Sequence, residues 1–169
     1  MEPLKKTQSS SVSDGTATPS GMSAMASGAF PEERKTRDAR AKAFALEDAM
    51  LKEGDHLDLP INHYQIDGVY VRTMFIPAGV VVVGKIHKYP QINICSMGSV
   101  TVVMDEGPER INAGWHKVCP AGAKRSFFAH VDSIWTTVHR TDETDVEKIE
   151  EDLVTNSEEE YIRMLENKQ

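Results

Sequence analysis

Short runs of Val, Ile and Thr recur through the middle of the chain and predict β-strands. The runs are Val69 to Ile76, Val80 to His87, Ile92 to Met97, Val100 to Met104 and Ile134 to His139. Segments that favour turns separate them, among them Pro77-Ala78-Gly79, Gly98 and Pro120-Ala121-Gly122. Strands of this length with turns at regular intervals are typical of a sandwich or barrel. We therefore predict a mainly β domain, a jelly-roll barrel over residues 55–141, with 55–68 as a loop leading into it.

A helical pattern precedes the barrel. Ala39, Ala43, Leu46 and Met50 fall on one face at helical spacing, and Gly54 is placed to end the helix. We predict an amphipathic basic helix over residues 31–54. Its many Lys and Arg residues would form a solvated face, or would pair with an acidic tail of a neighbouring subunit.

Two patterns of the capping-box type follow the last predicted strand. Thr144-Asp145-Val146-Glu147 and Ser157-Glu158-Glu159-Glu160 each place a hydroxyl three residues before a carboxylate. They predict an acidic tail over residues 142–169 with two short helices.

The first thirty residues are rich in Ser, Gly, Ala and Thr, with few large side chains to bury. Such a segment cannot offset the entropy of ordering, so residues 1–30 are expected to be a disordered arm. The alternative is an arm that orders against a partner.

Charge is unevenly distributed along the chain. It has 19 Lys and Arg against 26 Asp and Glu, a net charge of −7, and the segment 142–169 alone carries −8. An acidic tail disfavours a nucleic-acid partner, because phosphate binding needs a positive surface. No run approaches the roughly 20 apolar residues of a membrane helix, and the start lacks the apolar core of a secretory signal. We predict a cytosolic protein in which Cys95 and Cys119 are buried free thiols rather than a disulfide.

Two stretches of the chain combine turn residues with polar residues at fixed spacing. The first reads Gly79-x5-Lys85-x-His87-x3-Gln91-x6-Gly98, and the second reads Gly114-x5-Pro120-x-Gly122-x2-Arg125. This spacing resembles that of the cupin family. In cupins these positions hold two His and a Glu, then a third His, which converge on one metal. The resemblance implies a cupin barrel, but here Lys85, His87, Gln91 and Arg125 stand at the ligand positions.

The altered residues do not suit a metal. Protonated Lys and Arg offer only donors, which leaves His87 and the weak oxygen of Gln91. An unconventional site completed by His139 or His130 is the alternative. We predict no cofactor and name His87 and His139 as weak metal candidates only.

The same substitutions would create a positive pocket if the side chains face inward. Lys85, His87, Gln91 and Arg125 are therefore candidate ligands for a carboxylate or phosphate. In the alternative interpretation the long side chains lie at the barrel mouth, in water or paired with acids.

Catalysis finds less support in the sequence. His87 has no nearby carboxylate to orient it, with only the distant Asp132 on offer, so no catalytic residue is assigned and an enzyme is disfavoured. The aromatic residues Trp115, Trp135, Phe127 and Phe128 are expected to pack in the core rather than to form a carbohydrate platform.

A narrower resemblance covers roughly residues 60 to 150. It is carried by Gly68-Val69-Tyr70-Val71-Arg72, Ile76-Pro77-Ala78-Gly79, Gly84-Lys85-Ile86-His87, Pro120-Ala121-Gly122-Ala123-Lys124-Arg125, Trp135-Thr136-Thr137-Val138-His139 and Thr141-Asp142-Glu143-Thr144-Asp145. These segments are similar to a small cupin-like family of tailed bacteriophages and prophages, whose members often carry His where this chain has Gln91.

That resemblance implies a non-enzymatic phage accessory protein, a structural component of the virion or of its assembly. It would be a homo-oligomer that contacts other virion proteins through residues 1–54, in the host cytoplasm or within the virion. The alternative function is a cytosolic cupin that binds a small anion, or a metal-dependent cupin enzyme.

Overall fold

Eleven strands and three helices make up the described part of the chain. The computed structural model describes residues 31–54 and 57–168, so the predicted arm over residues 1–30 lies outside the described residues. The elements, in order, are α1 (Pro31–Glu53), β1 (Ile61–Ile66), β2 (Val69–Ile76), β3 (Val81–Val83), β4 (Ile86–His87), β5 (Gln91–Met97), β6 (Ser99–Met104), β7 (Gly107–Asn112), β8 (His116–Cys119), β9 (Ser126–Ala129), β10 (Ser133–Arg140), α2 (Val146–Leu153), β11 (Val154–Thr155) and α3 (Glu158–Glu166).

Two antiparallel sheets face each other and enclose the core. One has the order β1-β2-β10-β5-β8 and the other β3-β9-β6-β7, while β11 and β4 form a small third sheet. Both large sheets contribute to one apolar cluster: Met74, Ile76, Cys95 and Trp135 come from the first, and Val100, Val102, Met104, Ile111, Phe127 and Ala129 from the second. This confirms the predicted fold class, a mainly β barrel of two facing antiparallel sheets with an N-terminal helix and short C-terminal helices.

The inward face of the five-stranded sheet changes character along its length. Side chains at every second position share a face, and on β10 these are Trp135, Thr137 and His139. Thr137 pairs with Arg72 on β2, and Trp135 with Met74. The interior therefore passes from apolar to polar within two residues on both strands.

The prediction of a loop over residues 55–68 is wrong, because the segment contains β1. Asp67 and Gly68 join β1 to β2 in a two-residue turn with positive φ at both positions, 43° and 81°, as an Asp-Gly hairpin requires. All six residues of β1 are exposed, so the sequence lacks the alternation that marks a half-buried strand.

Gly98, the last residue of the first cupin-like stretch, is required by crowding in the turn between β5 and β6. Its φ is +86°, and a Cβ there would lie 2.5 Å from the carbonyl oxygen of Asp132 and 2.8 Å from Ser133 Cα. The backbone approach admits no side chain. Gly98 is therefore required by the turn itself and gives no information about a ligand or metal inside the barrel.

Helix α1 packs partly through charged residues. Ala39 and Ala43 are buried as predicted, whereas Leu46 is 36 % exposed. Arg40, expected on a solvated basic face, is buried: its Nη1 donates to the carbonyl oxygen of Gly122 at 2.9 Å and its Nη2 lies 2.9 Å from Glu158 Oε1. The acidic tail that pairs with this helix therefore belongs to the same chain.

The helices of the tail begin at different kinds of cap. Asp145, rather than the predicted Thr144, caps α2, and its carboxylate accepts from the backbone amides of Glu147 and Lys148. Ser157 caps α3 as the sequence indicates. Ile149 and Leu153 of α2 bury their side chains against Tyr70, which places α2 beside the polar end of the barrel.

Candidate functional site: a cationic cavity in the barrel

A cavity of about 170 Å³ lies inside the barrel where the polar end meets the apolar end. Its charged and imidazole side chains are Arg72, Lys85, His87, Arg125, His139 and Glu150. Its apolar side chains include Met74, Val82, Val83, Phe127 and Trp135. Three cations and one acid therefore line a space whose far wall is aromatic.

The structure brings together three of the four residues that the sequence nominates for an anion pocket. Lys85, His87 and Arg125 line the cavity, and Lys85 lies at its mouth, 45 % exposed. Gln91 does not line it, although it is buried; it borders a separate surface groove beside His139. Its side-chain oxygen and nitrogen have no hydrogen-bond partner among the described residues.

The Arg125 guanidinium has one nitrogen with a partner and one with none among the described residues. Its Nη1 donates to Asp105 Oδ1 at 2.6 Å, and Thr36 of α1 donates to the other oxygen of that carboxylate at 3.0 Å. Arg125 Nε is buried and has no hydrogen-bond partner within the described part of the chain. A buried donor of this kind costs free energy unless something accepts from it.

Arg72 and Glu150 are the site residues that sequence reasoning missed. Arg72 Nε lies 3.2 Å from Glu150 Oε1, an ion pair whose angle falls outside that of a hydrogen bond, and Lys85 Nζ lies 3.4 Å from Glu150 Oε2. Arg72 lies on the same face of β2 as Tyr70 and Met74, because side chains at every second position share a face. This period of two is the signal that could have identified Arg72. Glu150 arrives from α2, far along the chain, and no local pattern predicts its position.

His87 and His139 form a stacked, hydrogen-bonded pair. His87 Nδ1 lies 3.0 Å from His139 Nε2, and the ring centroids are 5.1 Å apart. Burial lowers the pKa of His87 from 6.5 to about 3, helped by His139, Arg72 and Arg125, and burial lowers the pKa of His139 to about 4. Both rings are neutral at physiological pH, so they offer hydrogen bonds without adding charge.

A polar network fixes the floor of the site. Thr137 Oγ1 donates to Asn93 Oδ1 at 3.1 Å, and Asn93 Nδ2 donates to Cys119 Sγ at 3.2 Å. Cys95 and Cys119 are free and buried, and burial raises the pKa of both thiols. Neither cysteine is activated as a nucleophile.

The donor set does not fit the metal that the cupin resemblance implies. Within residues 31–54 and 57–168 no group of three His, Cys, Asp or Glu side chains is placed to hold an ion. Arg72 and Arg125 face the histidine pair and would repel a cation. His130 lies elsewhere, with its Nε2 2.8 Å from Thr101 Oγ1 and its ring edge against Phe128.

The aromatic residues divide between core and surface. Trp135 and Phe127 are buried in the core as expected, with Trp115 packed against it, but Phe128 is partly exposed. Trp135 and Phe127 also form the apolar wall of the cavity.

No family model and no curated protein matches this chain. Solved structures that resemble it include cupin superfamily proteins. One, from Desulfitobacterium hafniense, is 11% identical, with 53% of this chain and 83% of that chain covered at a TM-score of 0.44. KdgF from Halomonas is 18% identical, with 54% and 91% covered at 0.44. A cupin-2 domain protein from Shewanella frigidimarina is 11% identical, with 57% and 92% covered at 0.40. Similarity at this level says nothing about what this chain binds.

Among the described helices, none has the length and apolar character needed to cross a membrane.

Proposed function

We propose that this protein binds a small organic or inorganic anion, through a carboxylate or phosphate group, in the cavity of its barrel. The observation that carries the proposal is the pair of inward arginines, Arg125 and Arg72: the buried Arg125 Nε has no partner among the described residues, and the Arg72 Nε is ion-paired with Glu150 but makes no hydrogen bond to it. An oxyanion would accept from these donors in the planar geometry that guanidinium groups favour.

The charge balance of the cavity favours a negative ligand. Arg72, Lys85 and Arg125 face a single lining acid, Glu150, and the two histidines are neutral. Charge interactions are stronger in a cavity with little water than at a protein surface. Lys85, at the mouth, would attract an anion from solvent.

The proposal is for binding rather than turnover. His87 and His139 hydrogen-bond to each other, and their low pKa values make them weak bases near neutral pH. Neither has a hydrogen-bonded carboxylate that would raise its basicity in the described structure. The site therefore has donors for an anion but lacks an oriented acid and base.

Thermal unfolding with inorganic phosphate, acetate and benzoate tests the proposal. A ligand that binds only the folded chain raises its Tm with concentration, and we expect at least one of the three to do so. Arg125→Ala should abolish the rise. Arg140→Ala is the matched control, because Arg140 lies on β10 outside the cavity and is 88 % exposed. Equal responses in the two variants, or no response to any anion, would exclude the pocket.

The virion role is a second proposal. Its support is the resemblance of residues 60 to 150 to a phage cupin-like family, carried by segments such as Gly84-Lys85-Ile86-His87. Mass spectrometry of purified particles tests it: peptides of this chain should be present, and their absence despite expression during infection would reject the role.

A homo-oligomer is a further part of the proposal, and the outer face of the five-stranded sheet supports it. Val118, Ile92, Val138, Val71 and Tyr64 are cross-strand neighbours and form one apolar row over all five strands. Val118 and Tyr64, at its ends, are 68 % and 57 % exposed. A row of this kind is suited to packing against a second copy. Light scattering after size-exclusion chromatography should give a dimer that Val118→Lys converts to monomer, and a monomeric parent chain would refute the interface.

A further inference from the structure

We infer that the ligand of the cavity is a monocarboxylate carried on a single six-membered ring, with benzoate as its simplest representative. This inference depends on the proposed function and narrows it from anions in general to one chemical class. Three properties of the cavity lead to it: its volume, its aromatic wall and the number of charges left uncompensated.

The volume fits one ring. The cavity measures about 170 Å³, close to the apolar cavity of about 150 Å³ that takes up benzene in another protein. A nucleotide or a sugar nucleotide is too large for such a space. An acetate or phosphate ion would leave much of it empty, and empty volume forfeits contacts with the walls.

The far wall of the cavity is aromatic and has no charge to offer. The ring centroids of Phe127 and Trp135 are 4.5 Å apart and the planes are tilted by 56°, with Met74 beside them. Such a wall favours a ring, which can pack edge to face or offset against it. Its carbon surface carries no charge that would replace the water around a fully hydrated anion.

The change from cation to apolar wall occurs over a short distance. Arg72 and Met74 lie two residues apart on the same face of β2, and Thr137 and Trp135 stand opposite them on β10. Two residues of a strand span about 7 Å. A molecule that presents a carboxylate at one end and an apolar ring at the other matches this span.

The ion pairs leave room for one negative charge. Glu150 faces Arg72 and Lys85, and Asp105 takes one end of Arg125. Three cations against these two acids leave one positive charge for a ligand. A monocarboxylate balances it, whereas a dicarboxylate or a doubly charged phosphate would exceed it.

Titration with four probes tests the inference: benzoate, acetate, inorganic phosphate and benzyl alcohol. We expect benzoate to bind at least tenfold more tightly than each of the others, since only benzoate has both the charge and the ring. Binding is read from Trp emission, because the chain has two tryptophans and Trp135 lines the cavity. Trp115→Phe leaves Trp135 as the sole reporter, and its emission should still respond to benzoate.

Variants separate the two ends of the ligand. Arg125→Ala should weaken benzoate binding at least tenfold, while Arg140→Ala should stay within twofold. Phe127→Leu should weaken benzoate but leave acetate unchanged. Should Arg125→Ala fail to fold, Arg125→Lys keeps the charge but loses the planar fork, and a severalfold loss of benzoate affinity is then expected.

The outcomes distinguish this inference from the proposed function. Binding of acetate or phosphate with no preference for benzoate would overturn the ring-bearing ligand and leave the anion site standing. No binding of any carboxylate or phosphate would overturn both. Benzoate binding that leaves Trp135 emission unchanged in Trp115→Phe would place the ligand outside the cavity and overturn the inference.

Discussion

The two ends of the barrel interior share the strands β2, β5 and β10 but are stabilised differently. At the apolar end Ile76, Val100 and Val102 are fully buried and belong to one apolar cluster. At the polar end Arg125, Asn93 and His139 are equally buried, yet each depends on a specific partner. Close packing holds the first region, while the second is held by hydrogen bonds and ion pairs that are costly to leave incomplete. Packing therefore stabilises one end of the interior, while the polar groups of the other end also offer donors to a ligand.

The largest effect on stability is expected from a large-to-small substitution in the apolar core. Ile76→Ala should lower the free energy of unfolding by about 2–5 kcal/mol, since a buried large-to-small change loses both transfer energy and packing. Urea denaturation measures it. Ile66→Ala, an exposed position on β1, should change the same quantity by less than about 0.5 kcal/mol. Similar losses in both variants would show that Ile76 does not belong to a packed core.

Asp105→Asn should separate stability from binding at the polar end. Arg125 would lose the charge that compensates it, at a cost of about 1–3 kcal/mol in the free energy of unfolding. The same change removes a carboxylate that competes with a ligand, so the affinity for benzoate should rise severalfold. Weaker benzoate binding in this variant would mean that Asp105 orients Arg125 more than it competes for it.

Acid should lower the free energy of unfolding through the two buried histidines at the polar end. The folded chain holds His87 at a pKa of about 3 and His139 at about 4, below the ordinary 6.5 of the unfolded chain. The unfolded state therefore binds more protons below pH 6.5. This stability is complete above about pH 6.5 and is lost toward pH 4, on the order of 1 kcal/mol per pH unit for each histidine.

Urea midpoints between pH 7 and pH 4.5 check this dependence. His139→Gln should reduce the slope by about half, because His87 remains, and replacing the exposed His116 of β8 by Gln is the control that should leave it unchanged. A slope that is as steep in His139→Gln as in the parent chain would assign the pH dependence to other groups.

The smallest effect is expected from a single hydroxyl. Thr137→Val leaves Asn93 Oδ1 without its donor and should cost about 1 kcal/mol in the free energy of unfolding. Thr137→Ser retains the hydroxyl and should cost less. If the Ser variant proved the weaker of the two, the methyl group rather than the hydrogen bond would be the stabilising part of Thr137.

The sequence predicts the secondary structure of segments whose own residues determine it. The strands β2, β5, β6 and β10 follow from their β-branched runs, and Gly98 marks its turn because the backbone there excludes a side chain. The sequence-based prediction fails for β1, because all its residues are exposed and its apolar and polar residues do not alternate. The regular pattern of a strand is a burial signal, and burial is absent there.

The candidate site divides in the same way. The spacing of turn residues identifies Lys85, His87 and Arg125. The spacing also predicts that they share one pocket, because it implies a barrel in which these positions lie close together. Glu150 and Asp105 reach the site through helix packing and a distant hairpin, which no spacing encodes. Gln91 has the right spacing but borders a different groove.

Gly122 stands where both flanking helices meet the barrel, and that position has an evolutionary consequence. A Cβ there would lie 2.6 Å from Tyr161 Oη and 2.9 Å from Arg40 Nη1, and φ is +80°. Any other amino acid would strain the backbone and push aside the ends of the Arg40 and Tyr161 side chains, which belong to α1 and α3. Descendants of this chain that abandon glycine at 122 should therefore have changed positions 40 and 161 as well, so that three distant sites vary as one unit.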